Sequence, residues 1–344
     1  MNLSTIKPFF IQAEAVQDCG EDSGFVGSYE NGLVVTGVFD GCGGIGGRRY
    51  PEVNDRTGAY IGSQTAAFAA DAFFRKYGEK FRNVKNQTNQ LQLFRRFQEY
   101  ISGKLADVKK KLIQDGGVQI GGSLSKSFPT TISITTAISV DKYTLCYFLW
   151  AGDSRGYILD DKGLYQVTTD DIDTNSDDAF LNLREDGILT NVANGDRAFT
   201  LHNKILFISD QDSEQNSNSK PKPFMIINAT DGCFAYFLTP MDFENVILRT
   251  MIESSSPAQW QAHLKKEIKA VTGDDFTLAI SCFGFNSFDD MKQYYNMRQI
   301  DVQKKYINEQ DGADEEKLKQ LWEEYKSSYY GSGHDKIKNY GELK

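Results

Sequence analysis

The sequence predicts an α+β layered sandwich, and three observations point there. Strand-like runs come in groups instead of alternating regularly with helices, as a doubly wound parallel sheet would require. Two amphipathic patterns stand side by side between residues 63 and 112, a helical pair between strand groups. Several strand-like runs are almost wholly apolar, which suits strands covered on both faces. At 344 residues the chain can bury a sizeable core, enough for one large domain plus an appendage but not for two full catalytic domains.

Taken in order, Phe9 to Val16 reads as a strand and Leu33 to Phe39 as a buried one, each running into an acidic, Gly-rich loop. Ala66, Ala67, Ala70, Phe73 and Phe74 follow helical spacing, as do Leu93, Phe94, Phe97, Ile101, Leu105, Val108 and Leu112, so both segments are expected as helices with one apolar face. After a Gly- and Ser-rich break over residues 116–127, β-branched residues dominate Thr130 to Val140, and Tyr143 to Trp150 continues the pattern. That predicts a hairpin across Asp141 and Lys142. Residues 157–159 and 164–167 form a second strand pair around a turn ending in Gly163. Residues 170–195 are polar and read as a mobile flap. Residues 204–209 and 224–229 are strands flanking a polar stretch, 211–219, too poor in apolar groups to pack. Residues 277–285 are expected as the last core strand. The reading therefore divides the chain at residue 286, with 286–344 a charged, helical extension whose short apolar stripe is Leu318, Leu321, Trp322 and Tyr325.

Composition narrows the function. A formal net charge of −9 argues against affinity built on neutralising nucleic-acid phosphates, which needs clustered Lys and Arg. The five cysteines are widely spaced and form no Cys-x-x-Cys pair, so neither a disulfide framework nor a zinc site is expected, and a reducing compartment fits. The first residues lack a basic segment followed by an apolar run, and no segment has the length of a membrane span. A cytoplasmic location, with no membrane partner, is the expectation. His202, His263 and His334 accompany no nucleophile motif, which leaves Ser-His or Cys-His hydrolysis without support.

The informative feature is that carboxylates recur where apolar strands end: Glu21-Asp22, Asp40, Asp153, Asp231 and Asp274-Asp275. Carboxylates gathered at one mouth of a core repel each other and raise each other's pKa unless a cation neutralises them. Convergence of these loops therefore implies hard divalent metals, with Mg2+ or Mn2+ the natural choice. Gly41, Gly43 and Gly44 permit a tight turn whose backbone carbonyl could join Asp40 in holding one.

In order, Gly20-Glu21-Asp22-Ser23, Val38-Phe39-Asp40-Gly41-Cys42-Gly43-Gly44, Pro129-Thr130-Thr131, Ala151-Gly152-Asp153-Ser154-Arg155-Gly156, Ala229-Thr230-Asp231-Gly232 and Gly273-Asp274-Asp275-Phe276-Thr277 resemble the successive motifs of the PPM (protein phosphatase 2C-like) metal-dependent serine/threonine phosphatases. The resemblance covers about residues 9–285, a PPM-type phosphatase domain spanning 1–285, and is closest to bacterial members. It implies a four-layer α-β-β-α sandwich that hydrolyses phosphoserine and phosphothreonine in proteins with a metal-activated water, so a phosphorylated protein and its cognate kinase are the implied partners. It further implies that Asp40 bridges two divalent cations, with Asp231 and Asp274 completing one site and Glu21 and the Gly41 carbonyl the other. Asp40 and Asp231 are then the catalytic pair, and Asp153 matches a third, weaker metal position. Asp22 and Asp275 adjoin ligands and could hold second-shell hydrogen bonds or stand as loop charges.

Three positions depart from the pattern. The family usually has an Arg where Gln17 stands, to bind substrate phosphate; Arg48 and Arg49, just past the Gly-rich turn, are the candidates to replace it, because guanidinium groups match phosphate oxygens. Cys42 replaces a His or Met and reads as small buried filler. Ala235 replaces a carboxylate, which weakens the third metal position. Gln17 and Ala235 also motivate an alternative, a pseudophosphatase that keeps the fold as a metal-binding or scaffold module.

Overall fold

The computed structural model describes residues 6–29, 32–82, 87–113, 126–140, 143–174, 176–183, 187–209 and 222–339. Its main strands are β1 (Phe9–Ala13), β2 (Ser23–Ser28), β3 (Val34–Phe39), β4 (Ile132–Val140), β5 (Tyr143–Ala151), β6 (Arg155–Asp160), β7 (Gly163–Gln166), β8 (His202–Ser209), β9 (Phe224–Ala229), β10 (Phe276–Phe283) and β11 (Ile337–Asn339). They form two antiparallel sheets. One has the order β1-β10-β9-β6-β7 and the other β11-β8-β5-β4-β3-β2. All six residues of β3 and of β9 are buried, because each strand is interior to its sheet and covered on both faces; their uninterrupted apolar character follows from that.

The sheets face each other across a core that includes Cys146, Phe148, Trp150, Ile158, Leu206, Phe224 and Ile226. Helices α1 (Gly58–Tyr77) and α2 (Gln87–Leu112) cover the outer face of the six-stranded sheet, burying Phe73, Phe74, Phe97 and Ile101 against Ile132, Tyr147 and Leu149. Helices α3 (Pro240–Glu253), α4 (Pro257–Val271), α5 (Phe288–Val302) and α6 (Glu315–Tyr329) cover the five-stranded sheet. The four-layer α-β-β-α order expected from the motifs is the order observed. The turn expected across Asp141 and Lys142, the break over 116–125 and the polar stretch 211–219 lie outside the described residues.

Three findings differ from the sequence reading. First, the sequence reading places no helices at α3 and α4, although each begins with a recognisable start: Asp242 Oδ2 accepts from both the backbone N–H and the hydroxyl of Thr239 (2.8 and 2.9 Å) with Pro240 next, and the Ser256 side chain accepts from Gln259 N ahead of Pro257. Second, the segment after 286, expected as an extension, packs into the layer over the five-stranded sheet. Tyr295, Val302, Leu318, Leu321, Trp322, Tyr325 and Tyr329 lie in the same core as Phe243, Trp260 and Ile280, and β11 pairs with β8 at a sheet edge. Glu244, fully buried on α3, takes two hydrogen bonds from Arg298 of α5 (2.6 and 2.8 Å) and one from the Tyr325 hydroxyl of α6. Apart from Arg298, most charges of this segment lie toward solvent while its aromatics complete the layer.

Third, the polar segment after residue 170 is anchored. Asp171 accepts from Gly152 N (2.9 Å) and Asn191 Nδ2 (2.7 Å) and stands 2.9 Å from His202 Nε2. Ala179 and Phe180 are buried, the latter stacked on Trp322 at 6.2 Å.

Candidate active site

Five chain segments bring carboxylates to one end of the sandwich, and each segment is fixed by backbone-directed hydrogen bonds. Asp40 ends the buried β3. Its backbone N–H donates to Thr131 Oγ1 (3.0 Å), while its carbonyl accepts from Thr130 Oγ1 and Thr131 N, both at 2.8 Å. Thr131 Oγ1 also contacts Ser154 Oγ at 2.6 Å, which ties the Asp40 turn to the loop carrying Asp153. Below them, Asn228 bridges the two sheets through Ser133, Thr135 and Thr36 (2.8, 3.0 and 2.8 Å).

Asp275 organises the Glu21 loop: its two carboxylate oxygens accept from Ala15 N and Glu21 N, both at 2.7 Å. Asp22, 2% exposed, accepts from Thr230 Oγ1 (2.7 Å), and that hydroxyl oxygen accepts from Thr277 N (2.8 Å). Thr57, the N-cap of α1, donates its hydroxyl to Glu21 Oε1. Close approach explains two glycines. A Cβ on Gly41 would lie 2.6 Å from the Glu21 carbonyl and 2.7 Å from that of Ala59, and one on Gly232 would lie 1.9 Å from the Asp275 carbonyl, so any side chain there would force the loops apart.

The electrostatic result is a set of carboxyls held above their ordinary range. Burial is the first cause for Asp40, Asp22 and Asp153, reinforced in each by the charge of Asp231. Asp231 is pushed up to about 6, by burial and then by Asp274. Glu21 and Asp274 are raised more mildly, again by burial first; the Thr57 hydrogen bond and the charge of Arg49 oppose the shift at Glu21.

These groups fit hard divalent cations in kind. They are carboxylate oxygens from separate segments that disfavour their own ionisation, and Asp153 Oδ1 is buried with no hydrogen-bond partner among the described residues, which costs free energy unless something else satisfies it. Among the described residues, no three His, Cys, Asp or Glu side chains close on one point as a finished ligand set.

Among the sequence-picked residues, Glu21, Asp40, Asp153, Asp231 and Asp274 share this region. The backbone of Gly41 lies buried beside them, bridged to Thr130. Arg49 is exposed, near enough to Glu21 to favour its charged form and hydrogen-bonded to the Asp55 carbonyl (2.8 Å). Arg48 instead stands over the Tyr50 ring at 5.2 Å. Gln17 is exposed. The thiol of Cys42 is buried and pushed up by burial and the Asp40 charge, so it stays protonated.

Sequence reasoning passed over Arg155 although it stands in the Asp153 motif. Arg155 is 3% exposed, lies over the Phe234 ring at 4.1 Å, and grips Asp170 through Nε (3.0 Å) and Nη2 (2.6 Å). A cavity of about 330 Å³ opens beside this pair, walled by Asp153, Asp231, Asn182, Ala235 and Tyr236.

No protein-family model matches the chain, and no curated protein matches it in sequence. Solved structures do. A serine/threonine phosphatase from Staphylococcus aureus is 16% identical with a TM-score of 0.53, the match covering 82% of this chain and 97% of that one. One from S. agalactiae is 12% identical with a TM-score of 0.55, covering 80% and 98%. A sex-determining protein of C. elegans is 15% identical with a TM-score of 0.57, covering 85% and 67%. The fold of this chain is that of the PPM-type serine/threonine phosphatases.

Proposed function

We propose that the chain is a metal-dependent phosphatase that hydrolyses phosphoserine and phosphothreonine in proteins. The observation that carries this reading is the gathering of Glu21, Asp22, Asp40, Asp153, Asp231 and Asp274 at one end of the sandwich, where burial and mutual repulsion disfavour their charges. Glu21, Asp40, Asp231, Asp274 and the Gly41 carbonyl would hold two cations, Mn2+ or Mg2+, and Asp153 a third, weaker one. The chemistry such ions supply when bound is acidification of water and neutralisation of phosphoryl charge.

The chain's own residues do the positioning. Thr130 and Thr131 fix the Asp40 turn, Asp275 fixes the Glu21 loop, and the Asp22–Thr230–Thr277 hydrogen bonds join the Asp231 and Asp274 segments to it. Asp40 and Asp231, both buried and both raised above the ordinary carboxyl range, are the pair best placed to hold or release a proton beside the reacting water. Arg49 is the better candidate of the two exposed arginines for drawing the substrate phosphate toward an otherwise acidic mouth, with Arg48 behind it on Tyr50. The substrate is a phosphorylated protein, the product of a cognate serine/threonine kinase, and the setting is cytoplasmic signalling; no described helix is long and apolar enough to cross a membrane.

A second reading, a pseudophosphatase scaffold, draws on two observations: Gln17 offers no cation, and Ala235 places a methyl group in the cavity wall beside Asp153 and Asp231. Phosphate release from a phosphothreonine peptide with and without Mn2+, in the native chain and in Asp40→Asn and Asp231→Asn, separates the two. Metal-dependent release lost in both variants supports catalysis; metal binding with no release from diverse phosphopeptides favours the scaffold.

A further inference from the structure

The charged groups lining the cavity beside Asp231 are three carboxylates, Asp153, Asp170 and Asp231, and one cation, Arg155. Asp153 and Arg155 stand two residues apart in one turn and face the same space. Opposite charges sharing a dry space attract strongly, yet Asp153 Oδ1 stays buried with no hydrogen-bond partner among the described residues. Arg155 gives its Nε and Nη2 to Asp170 instead, at 3.0 and 2.6 Å, and the two side chains are only 3% and 5% exposed. The cation is thus turned away from the one carboxylate of its own turn.

Asp170 is not what docks its own segment. On one side of it, Trp150 Nε1 donates to the Thr169 carbonyl (2.8 Å) and Gly156 N donates to Thr168 Oγ1 (3.0 Å). On the other, Asp171 and Gly152 exchange two hydrogen bonds: Asp171 N donates to the Gly152 carbonyl (3.0 Å) and Gly152 N to Asp171 Oδ2 (2.9 Å). The backbone that carries Asp170 is pinned before and after it, so its carboxylate is free to serve the guanidinium. That guanidinium lies over the Phe234 ring at 4.1 Å, and its charge is felt at both Asp153 and Asp231.

We propose that Asp170 is a positioning residue that holds Arg155 away from the metal-binding carboxylates, so that Asp153 and Asp231 stay open to a divalent cation. A buried guanidinium stripped of its partner is strongly unfavourable and takes up another carboxylate where one is in reach. The other carboxylates of the cavity are Asp153 and Asp231. Without Asp170 the guanidinium pairs with them and occupies the oxygens a cation needs. The proposal rests on the metal-dependent phosphatase reading and adds to it a competitor carried in the chain, kept out of the site by one carboxylate.

Calorimetric titration of the full chain with Mn2+ tests this in the native protein, in Asp170→Asn, in Arg155→Met and in the double variant. Asp170→Asn should weaken Mn2+ binding about tenfold or more, the range for groups that set the surroundings of a metal ligand. The double variant, which removes the competitor as well, should recover native affinity, and Arg155→Met alone should bind at least as tightly as the native chain. A carboxylate needed only for folding would show no such recovery; thermal melts establish that each variant is folded. Native affinity in Asp170→Asn, or a double variant as weak as the single one, overturns the proposal. Should Asp170→Asn not fold, undiminished binding in Arg155→Met and in the double variant supports the proposal, and weaker binding in either overturns it. Phosphate release from a phosphothreonine peptide by the native chain is measured alongside. No release with the binding pattern intact strikes the phosphatase reading alone, a failed pattern with release intact strikes this proposal alone, and a native chain that binds no Mn2+ overturns both.

Discussion

Replacing Asp275 with Ala removes a carboxylate that braces the cluster through the backbone. Its two oxygens accept from Ala15 N and Glu21 N at 2.7 Å each, so it fixes where Glu21 stands. Hydrogen bonds to a charged acceptor contribute about 1.5–3 kcal/mol each when buried. The bond from Ala15 is exposed and that from Glu21 part-buried, and water can replace the lost acceptor, so the cost to folding should be only about 1–2 kcal/mol in total. The effect on metal affinity should be larger for its size, because groups that orient ligands typically contribute 10- to 100-fold. Calorimetric titration with Mn2+ should show that weakening in Asp275→Ala while urea denaturation shows the smaller loss. Unchanged Mn2+ affinity, with Glu21 shown to bind by its own substitution, would refute the claim that Asp275 positions the site.

Three further outcomes follow from the geometry. Arg298→Met leaves Glu244, 0% exposed, without its cation and should cost about 3–5 kcal/mol in urea denaturation; a loss below about 1 kcal/mol would mean the C-terminal helices are not docked as described. Gly232→Ala puts a Cβ where 1.9 Å separates it from the Asp275 carbonyl, so it should cost about 1–3 kcal/mol and weaken Mn2+ binding, whereas a neutral result would place the two loops farther apart. For pH, Asp231 is raised from 3.8 to about 6, so its ionisation opposes folding: stability without divalent cation should fall as pH climbs from about 4 through about 6, by at most about 3 kcal/mol. Melting profiles from pH 4 to 8 should show that decline flattened in Asp231→Asn and countered by Mn2+ most strongly at pH 8; an unchanged profile in the variant would contradict the shift.

The sequence carried the strands well where burial on both faces leaves a continuous apolar run, as at Leu33–Phe39 and Phe224–Ala229. It carried the acidic loops because each carboxylate falls at the end of such a run. The helix α3 was harder to see: Glu244, Asn245 and Thr250 are buried on it and blur its apolar face, and the partner that makes Glu244 tolerable, Arg298, lies 54 residues away. The segment after 286 reads as an appendage because its charges are evenly spread, while its core role belongs to Tyr295, Trp322, Tyr325 and Tyr329, whose partners come from earlier in the chain. Asp274 and Asp275 are neighbours of equal chemistry in sequence; only the fold shows that the second turns away to hold Ala15 and Glu21. The same holds for Arg155 and Asp170, whose pairing depends on the segment that folds back after the Asp153 turn.

The most direct test of the central claim is phosphate release from one phosphothreonine peptide, measured together with Mn2+ binding in the native chain and in Asp40→Asn. The native chain should bind Mn2+ and release phosphate only when it is present, and the variant should lose at least about a hundredfold of both, since removing the proposed bridging ligand should exceed the effect of removing a group that merely orients one. Release that persists in Asp40→Asn, or tight Mn2+ binding by a native chain that releases nothing, would contradict the assignment of this acidic cluster as a phosphatase centre.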